Sequence, residues 1–236
     1  MKRTMIKGMM WKEWKQFIGS SAVLIAFYML VFVSTFYFNI ETLLEEGVLD
    51  HYALFGICSS LVIFIMCISG CVVISQSIST DKREGILNSL LGTAKSAMYI
   101  WMGQLLFGVA VGYLFSMLGL GLLLVTIYLK FQLVIKLSFL LWVELIVVMP
   151  VFCAFILSIY SFLLWITKNN FLQMIITILP TLAYIPAIML SNYINQITDA
   201  LQVPFVMAAG LIGVLGILAV GFIVNKIPSS VFVSKI

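Results

Sequence analysis

Six long apolar runs constrain this chain more than any other feature of its sequence. They cover residues 18–40, 52–74, 97–129, 137–166, 171–190 and 203–224. A helix of about 20 apolar residues crosses a hydrocarbon core about 30 Å thick, so each run is long enough to span a membrane. The chain is 63% hydrophobic and 9% charged, which excludes a water-soluble globule. The sequence therefore predicts an all-α polytopic membrane protein with six transmembrane helices in one domain, 1–236.

The distribution of lysine and arginine predicts how the helices are oriented. Short positively charged segments resist translocation and stay in the cytoplasm. Lys130 and Lys136 fall on one side of the predicted topology. The eleven others fall on the opposite side: Lys2, Arg3, Lys7, Lys12, Lys15, Lys82, Arg83, Lys95, Lys168, Lys226 and Lys235. We therefore expect both termini in the cytoplasm.

Residues 1–17 have the composition of a helix that lies in the membrane interface. Apolar residues such as Met9 and Trp14 fall on one half of a helical wheel, and Lys7, Lys12 and Lys15 fall on the other. Such a helix places its lysines toward anionic headgroups and its tryptophans at the boundary. The alternative is a basic tail that serves only to fix the topology.

Segment 75–96, between the second and third runs, predicts a short cytoplasmic helix. Asp81 can cap its N-terminus, Glu84 completes a capping box, and Gly92 provides a C-terminal cap. Between the caps an apolar stripe is formed by Ile86, Leu87, Leu90 and Leu91. This stripe can bury itself in lipid headgroups, in the same chain or in the groove of a partner.

The order of these features resembles the type-two permease family of bacterial ABC exporters over essentially the whole chain. Family members have a basic interfacial helix, here around Trp11 to Lys15, and six spans with both ends inside. After the second span they have a charged cluster, a glycine and a Leu-Leu pair, which this chain matches at Glu84, Gly85, Leu87, Leu90 and Leu91. The chain departs from the family at Ala94, where proline is common, and at Gln104, where lysine is common.

The resemblance implies a function and a set of partners. Residues 81–91 would form a coupling helix that docks on a separate ATPase subunit, through Asp81, Lys82, Arg83, Glu84, Gly85, Leu87, Leu90 and Leu91. Two permease chains, identical or related, would form the path, and the ATP and Mg²⁺ would be bound by the partner ATPase. The cargo would be a peptide, lipid, drug or glycan exported across a bacterial plasma membrane.

The residues needed for catalysis are not arranged as an enzyme would need them. No glycine-rich loop ends in Gly-Lys-Ser or Gly-Lys-Thr, and no His-Glu-x-x-His motif occurs. We therefore expect no enzymatic activity, no metal or other cofactor in this chain, and no nucleic-acid partner. The rival interpretation is a stand-alone channel or secondary transporter, which would need ionisable groups inside its spans.

Two polar residues are candidates for the substrate path. Glu144 is the one charge within an apolar run, so it is either a gate or substrate contact, or an interfacial carboxylate beside Trp142 at the outer end of a span that begins near Leu145. The sequence favours the interfacial position. Asn39, at the outer end of the first run, is favoured as a polar helix end over a pore contact.

The first prediction concerns the apolar stripe. Burying a leucine is worth roughly 1.5–3 kcal/mol, so Leu90→Asp combined with Leu91→Asp should remove several kcal/mol from docking on an ATPase. We expect the double variant to reach the membrane at the normal level, to lose its ATPase on co-purification and to lose transport. A variant that keeps both would assign the stripe to the lipid surface.

Overall fold

A computed structural model describes residues 2–45, 51–86, 97–132, 139–167, 172, 175 and 199–227, and these residues form helices and no strand. The helices are α1 (Lys2–Ser20), α2 (Ala22–Glu45), α3 (His51–Arg83), α4 (Ala97–Phe131), α5 (Phe139–Val143), α6 (Met149–Ile166) and α7 (Asp199–Lys226). A π-helical turn, Glu144–Val148, joins α5 to α6.

Four described helical segments are long and apolar enough to cross a membrane: Ala22–Glu45, Leu54–Arg83, Ala97–Phe131 and Glu144–Ile166. The apolar part of α7 whose side chains are described, Gly210–Lys226, is shorter. The predicted span 171–190 lies outside the described residues apart from 172 and 175. The all-helical, multi-pass character expected from the sequence is therefore present, with four candidate spans among the described residues.

Two helix boundaries differ from those expected. The N-terminal helix continues past residue 17 to Ser20, and Ser21 alone separates it from α2. The Ser21 hydroxyl donates a hydrogen bond to the Gln76 side-chain oxygen, which fixes this junction against α3. The second span was expected to end at residue 74, but α3 continues to Arg83 because the polar residues beyond Ile74 are buried against other helices.

Glycines mark the places where helix backbones approach most closely. A Cβ on Gly112 of α4 would lie 2.7 Å from the carbonyl oxygen of Met66 on α3, and one on Gly108 would lie 2.5 Å from Ile74. Residue numbers thus fall along α3 as they rise along α4, so these two helices are antiparallel. The contact between them is the most extensive in the described bundle.

The last two described helices, α6 and α7, run in the same direction. A Cβ on Gly213 of α7 would lie 3.0 Å from Val151, and one on Gly216 would lie 2.2 Å from Phe155. Residue numbers rise together on α6 and α7, so the two helices are parallel.

The bundle has two distinct ends. At one end, Lys12 of α1, Asp81 of α3, Gln104 of α4 and Trp165 of α6 meet; we call this the Asp81 end. At the other end Lys130 of α4 pairs with a Glu41 oxygen of α2 at 2.6 Å, and we call this the Lys130 end.

Pro150 provides a physical cause for the π-helical turn. Proline has no N–H to donate to the carbonyl four residues earlier, and its ring crowds that carbonyl. The Met149 N–H instead bonds to the carbonyl of Glu144, five residues earlier. The extra residue in this turn brings two neighbouring side chains, Glu144 and Leu145, into the interior together.

The packing of α4 against α3 gives a prediction with an internal control. Gly112→Ala forces a Cβ against the Met66 carbonyl, whereas Gly121→Ala on the same helix meets nothing within 4 Å. Both substitutions bring the same gain in helix propensity. We expect Gly112→Ala to destabilise the protein by about 1–3 kcal/mol, measured by thermal unfolding in detergent, and Gly121→Ala not to. Equal effects would contradict the close α3–α4 approach.

Candidate functional site

A buried polar network lies at the Asp81 end and joins four helices. The Lys12 ammonium of α1 donates to one Asp81 carboxylate oxygen, and the Gln104 amide of α4 donates to the other at 3.0 Å. The Trp165 indole N–H of α6 donates to the Gln104 side-chain oxygen at 2.9 Å. Asp81, Gln104 and Trp165 are all buried, while Lys12 is partly exposed. These four residues, with Glu13, are called the Asp81 network below.

The predicted capping role of Asp81 is wrong. Asp81 lies inside α3, and the backbone N–H of Glu84 bonds to the carbonyl of Thr80, so the helix runs through the position where a new one was expected to begin. The Asp81 carboxylate is fully buried and bonded to other helices. The helix ends instead at Arg83, and Gly85 follows with a φ of 68°, the left-handed conformation that commonly follows a helix C-terminus.

The charged residues at the C-terminal end of α3 face in different directions. Lys82 turns toward α6, where its ammonium donates to the carbonyl oxygens of Leu164 at 2.6 Å and Thr167 at 2.7 Å. A cation at the C-terminus of a helix satisfies unpaired carbonyls and opposes the helix dipole. Arg83 and Glu84 are exposed. The charges predicted to face one partner are thus divided between the bundle and its surface.

Gln104 has a role that its sequence context did not reveal. Lys12 of α1 supplies the ammonium beside Asp81, while Gln104 links Asp81 to Trp165. The site residues predicted from the sequence do not include Lys12, Glu13, Gln104 or Trp165. Glu13 on the apolar side of α1, and Gln104 within an apolar run, were the available signals.

Glu13 is the second carboxyl group of the network. Its side chain is 2% exposed, and its Oε1 lies 3.6 Å from the Lys12 ammonium, beyond hydrogen-bond distance. Burial raises the pKa of Glu13 above the ordinary glutamate value; Ser77 and Lys12 lower it in part, and the nearby Asp81 carboxyl raises it further. The network therefore has two carboxyl groups around one partly exposed ammonium.

The other predicted site residues lie apart from this network. Glu144 is at the end of its candidate span, as the sequence suggested, but its side chain is only 5% exposed, so it is not a solvated interfacial group. Asn39 is exposed on α2. Leu87, Leu90 and Leu91, and the predicted cap Gly92, lie outside the described residues. No group of three or more His, Cys, Asp or Glu side chains within the described ranges could hold a metal ion.

Comparisons with known proteins found no relative of this chain. No family model, no curated protein and no solved structure matches the chain.

The network predicts that Asp81 stabilises the fold. Asp81→Asn should leave Lys12 with only the more distant Glu13 carboxyl group and cost roughly 2–3 kcal/mol, below the about 3–5 kcal/mol of a fully buried pair because Lys12 is partly exposed. Thermal unfolding in detergent checks this. Glu41→Gln, which removes an exposed pair at the Lys130 end, serves as the control and should change little. Equal effects of the two substitutions would contradict the network.

The raised pKa of Glu13 predicts a pH dependence. Between the ordinary glutamate pKa and the raised value the folded protein binds more protons than the unfolded chain, so stability should fall as pH rises through that window. Glu13→Gln should reduce this dependence and raise the unfolding temperature at the upper end of the window. A variant with the wild-type pH profile would show that Glu13 is not the titrating group.

Proposed function

We propose that the chain is the permease subunit of a bacterial ABC exporter, with six spans and both termini in the cytoplasm. Two such chains, or this one and a related one, form the path across the plasma membrane. Separate ATPase subunits dock on the segment that begins at Arg83, residues 83–91, and hydrolyse ATP with Mg²⁺. The cargo belongs to the peptide, lipid, drug or glycan classes.

The Asp81 network is the observation that carries this proposal. A coupling segment can move a bundle only if its first residues are fixed to several helices. Asp81 is bonded to α1 and α4, and the adjacent Lys82 is bonded to the C-terminal carbonyls of α6. A force on the chain beyond Arg83 would therefore reach three helices besides α3 through hydrogen bonds to charged groups, which are about twice as strong as neutral ones.

The parallel arrangement of α6 and α7 supports the sixth span. The chain leaves α6 at the Asp81 end, near Thr167, and α7 begins with Asp199 toward the opposite end. Residues between two parallel neighbours must return across the bundle, and the apolar run 171–190 is long enough to do so. This would make α7 the sixth span.

The charge distribution supports the orientation. Lys12 and Lys82 lie in the Asp81 end, and α7 brings Lys226 there, because Gly221 packs beside Met98 and Trp101 at the start of α4. Lys130 lies at the other end with Glu41. Positive residues mark the cytoplasmic side, so the Asp81 end faces the cytoplasm and the ATPase.

The chain's contribution to transport is conformational. ATP-driven closure of the partner subunits displaces the segment after Arg83 and changes the balance between two arrangements of the permease pair. Such a shift requires the ATP-bound partner to contact the two arrangements with different free energies. Lys82 is suited to transmit the displacement because it joins the end of α3 to the end of α6.

A secondary transporter is the second candidate, and Glu144 is the observation that favours it. Ion-coupled transporters need ionisable groups in their spans, and the Glu144 side chain is buried at the end of one. Transport driven by an ion gradient in ATPase-free proteoliposomes would establish this alternative.

The different positions of Lys82 and Arg83 predict two different defects. Lys82→Met should keep the ATPase on co-purification but reduce transport per ATP hydrolysed, because the α3–α6 link is lost. Arg83→Ala, at an exposed position, should weaken ATPase co-purification without lowering the unfolding temperature. Reconstituted transport and ATPase assays measure both. The same defect in both variants, or none in either, would contradict the division of roles.

A further inference from the structure

Glu144 is a buried acid that the proposed coupling mechanism does not use. It is the first residue of the π-helical turn between α5 and α6, and its side chain is 5% exposed. Glu144 and Trp165 are 21 residues apart, or about 30 Å along the helix at about 1.5 Å per residue. Glu144 therefore lies toward the Lys130 end, far from the Asp81 network.

The buried acids in the described part of the chain differ in their partners. Asp81 is bonded to Lys12, and Glu13 has the same ammonium at 3.6 Å. No described residue donates a hydrogen bond to the Glu144 carboxyl or forms an ion pair with it, and the cysteine and serine side chains of α6 bond elsewhere or not at all. A carboxylate buried without a cation costs several kcal/mol, so Glu144 is either protonated or, when ionised, matched by a positive charge beside it.

The surroundings of Glu144 indicate which kind of cation would fit. The next residues toward the interior, Leu145 and Met149, belong to an apolar cluster against which Trp142 also packs. Hard metal ions need six or more oxygen ligands, whereas one carboxylate among apolar and aromatic side chains suits a single positive charge on an organic body. The π-helical turn supports a functional role, since such turns occur frequently at functional sites.

We propose that Glu144 is the residue at which this chain recognises a positively charged group of the molecule it transports. The ligand class is an apolar organic cation, such as a substituted ammonium. The proposal rests on the proposed transport function, and it narrows the cargo to molecules that carry such a group. In the proposed orientation the site lies at the outer side of the path, separate from the surface where the ATPase docks.

The test is direct binding of tetraphenylphosphonium to the full chain in phosphatidylcholine nanodiscs, measured by equilibrium dialysis against empty nanodiscs. Tetraphenylborate has the same shape and the opposite charge. We expect wild-type protein to bind the phosphonium saturably and not the borate. Glu144→Gln should weaken phosphonium binding by about tenfold or more, which corresponds to about 1.4 kcal/mol. Glu144→Asp should keep part of the affinity.

Glu41→Gln is the matched control, because Glu41 is a partly exposed carboxyl at the same end of the bundle with Lys130 as its partner. It should bind the phosphonium like the wild type. If Glu144→Gln does not fold, the wild-type protein still gives a result: dicyclohexylcarbodiimide should modify Glu144, and tetraphenylphosphonium should slow that modification. Absence of saturable binding, equal binding of both ions, unchanged binding by Glu144→Gln or absence of protection would each overturn the proposal.

The binding assay contains no ATPase, so its outcome is independent of the coupling mechanism. A chain that binds the cation at Glu144 but never engages an ATPase would contradict the exporter assignment and leave the site intact. A chain that couples to an ATPase but fails every binding test would contradict the site alone.

Discussion

Burial removes the Asp81 carboxylate from water, and the ammonium of Lys12 takes the place of the lost solvent. A charge buried in a helical bundle is tolerated only with a counter-charge and further hydrogen bonds. Lys12 provides the counter-charge, and Gln104 provides a further hydrogen bond. Trp165 holds the Gln104 side chain in place. This requirement fixes α1 against the bundle, and it explains why α3 can continue as a helix beyond its apolar run.

The features that could be predicted from the sequence are those whose signal is local in the chain. Apolar runs predict helices because the bilayer leaves few alternatives, and four of the expected spans coincide, with shifted ends, with described helices long and apolar enough to cross a membrane. Glycines are the other local signal: Gly108, Gly112, Gly213 and Gly216 each lie against a neighbouring helix, whereas Gly121 meets nothing within 4 Å. Both kinds of signal are local in the chain.

The role of Asp81 could not be predicted because its partners are distant in sequence. An aspartate followed three residues later by a glutamate is the local pattern of a helix start. That pattern is identical whether the aspartate caps a helix or meets Lys12, 69 residues away. Glu144 presents the same difficulty: its place at a span end was visible in the sequence, but its burial depends on how α5 and α6 pack after the π-helical turn.

Two acids at opposite ends of the bundle thus suggest a division of labour. Asp81 has an internal ammonium and organises the helices where a partner would push. Glu144 has no such partner among the described residues and is suited to an external cation. In the proposed exporter Asp81 would serve coupling and Glu144 would serve recognition of the cargo. Substitution of Asp81 should therefore leave cation binding intact, and substitution of Glu144 should leave coupling intact.

The most direct test of the central claim is a double-mutant cycle between Lys12 and Asp81. The unfolding free energies of Lys12→Met, Asp81→Asn and the combined variant would be measured in the same detergent. If the two side chains neutralise each other, the double variant should be destabilised by at least about 1 kcal/mol less than the sum of the two single effects. Strictly additive effects would show that α1 is not held to α3 by this pair, and would contradict the account.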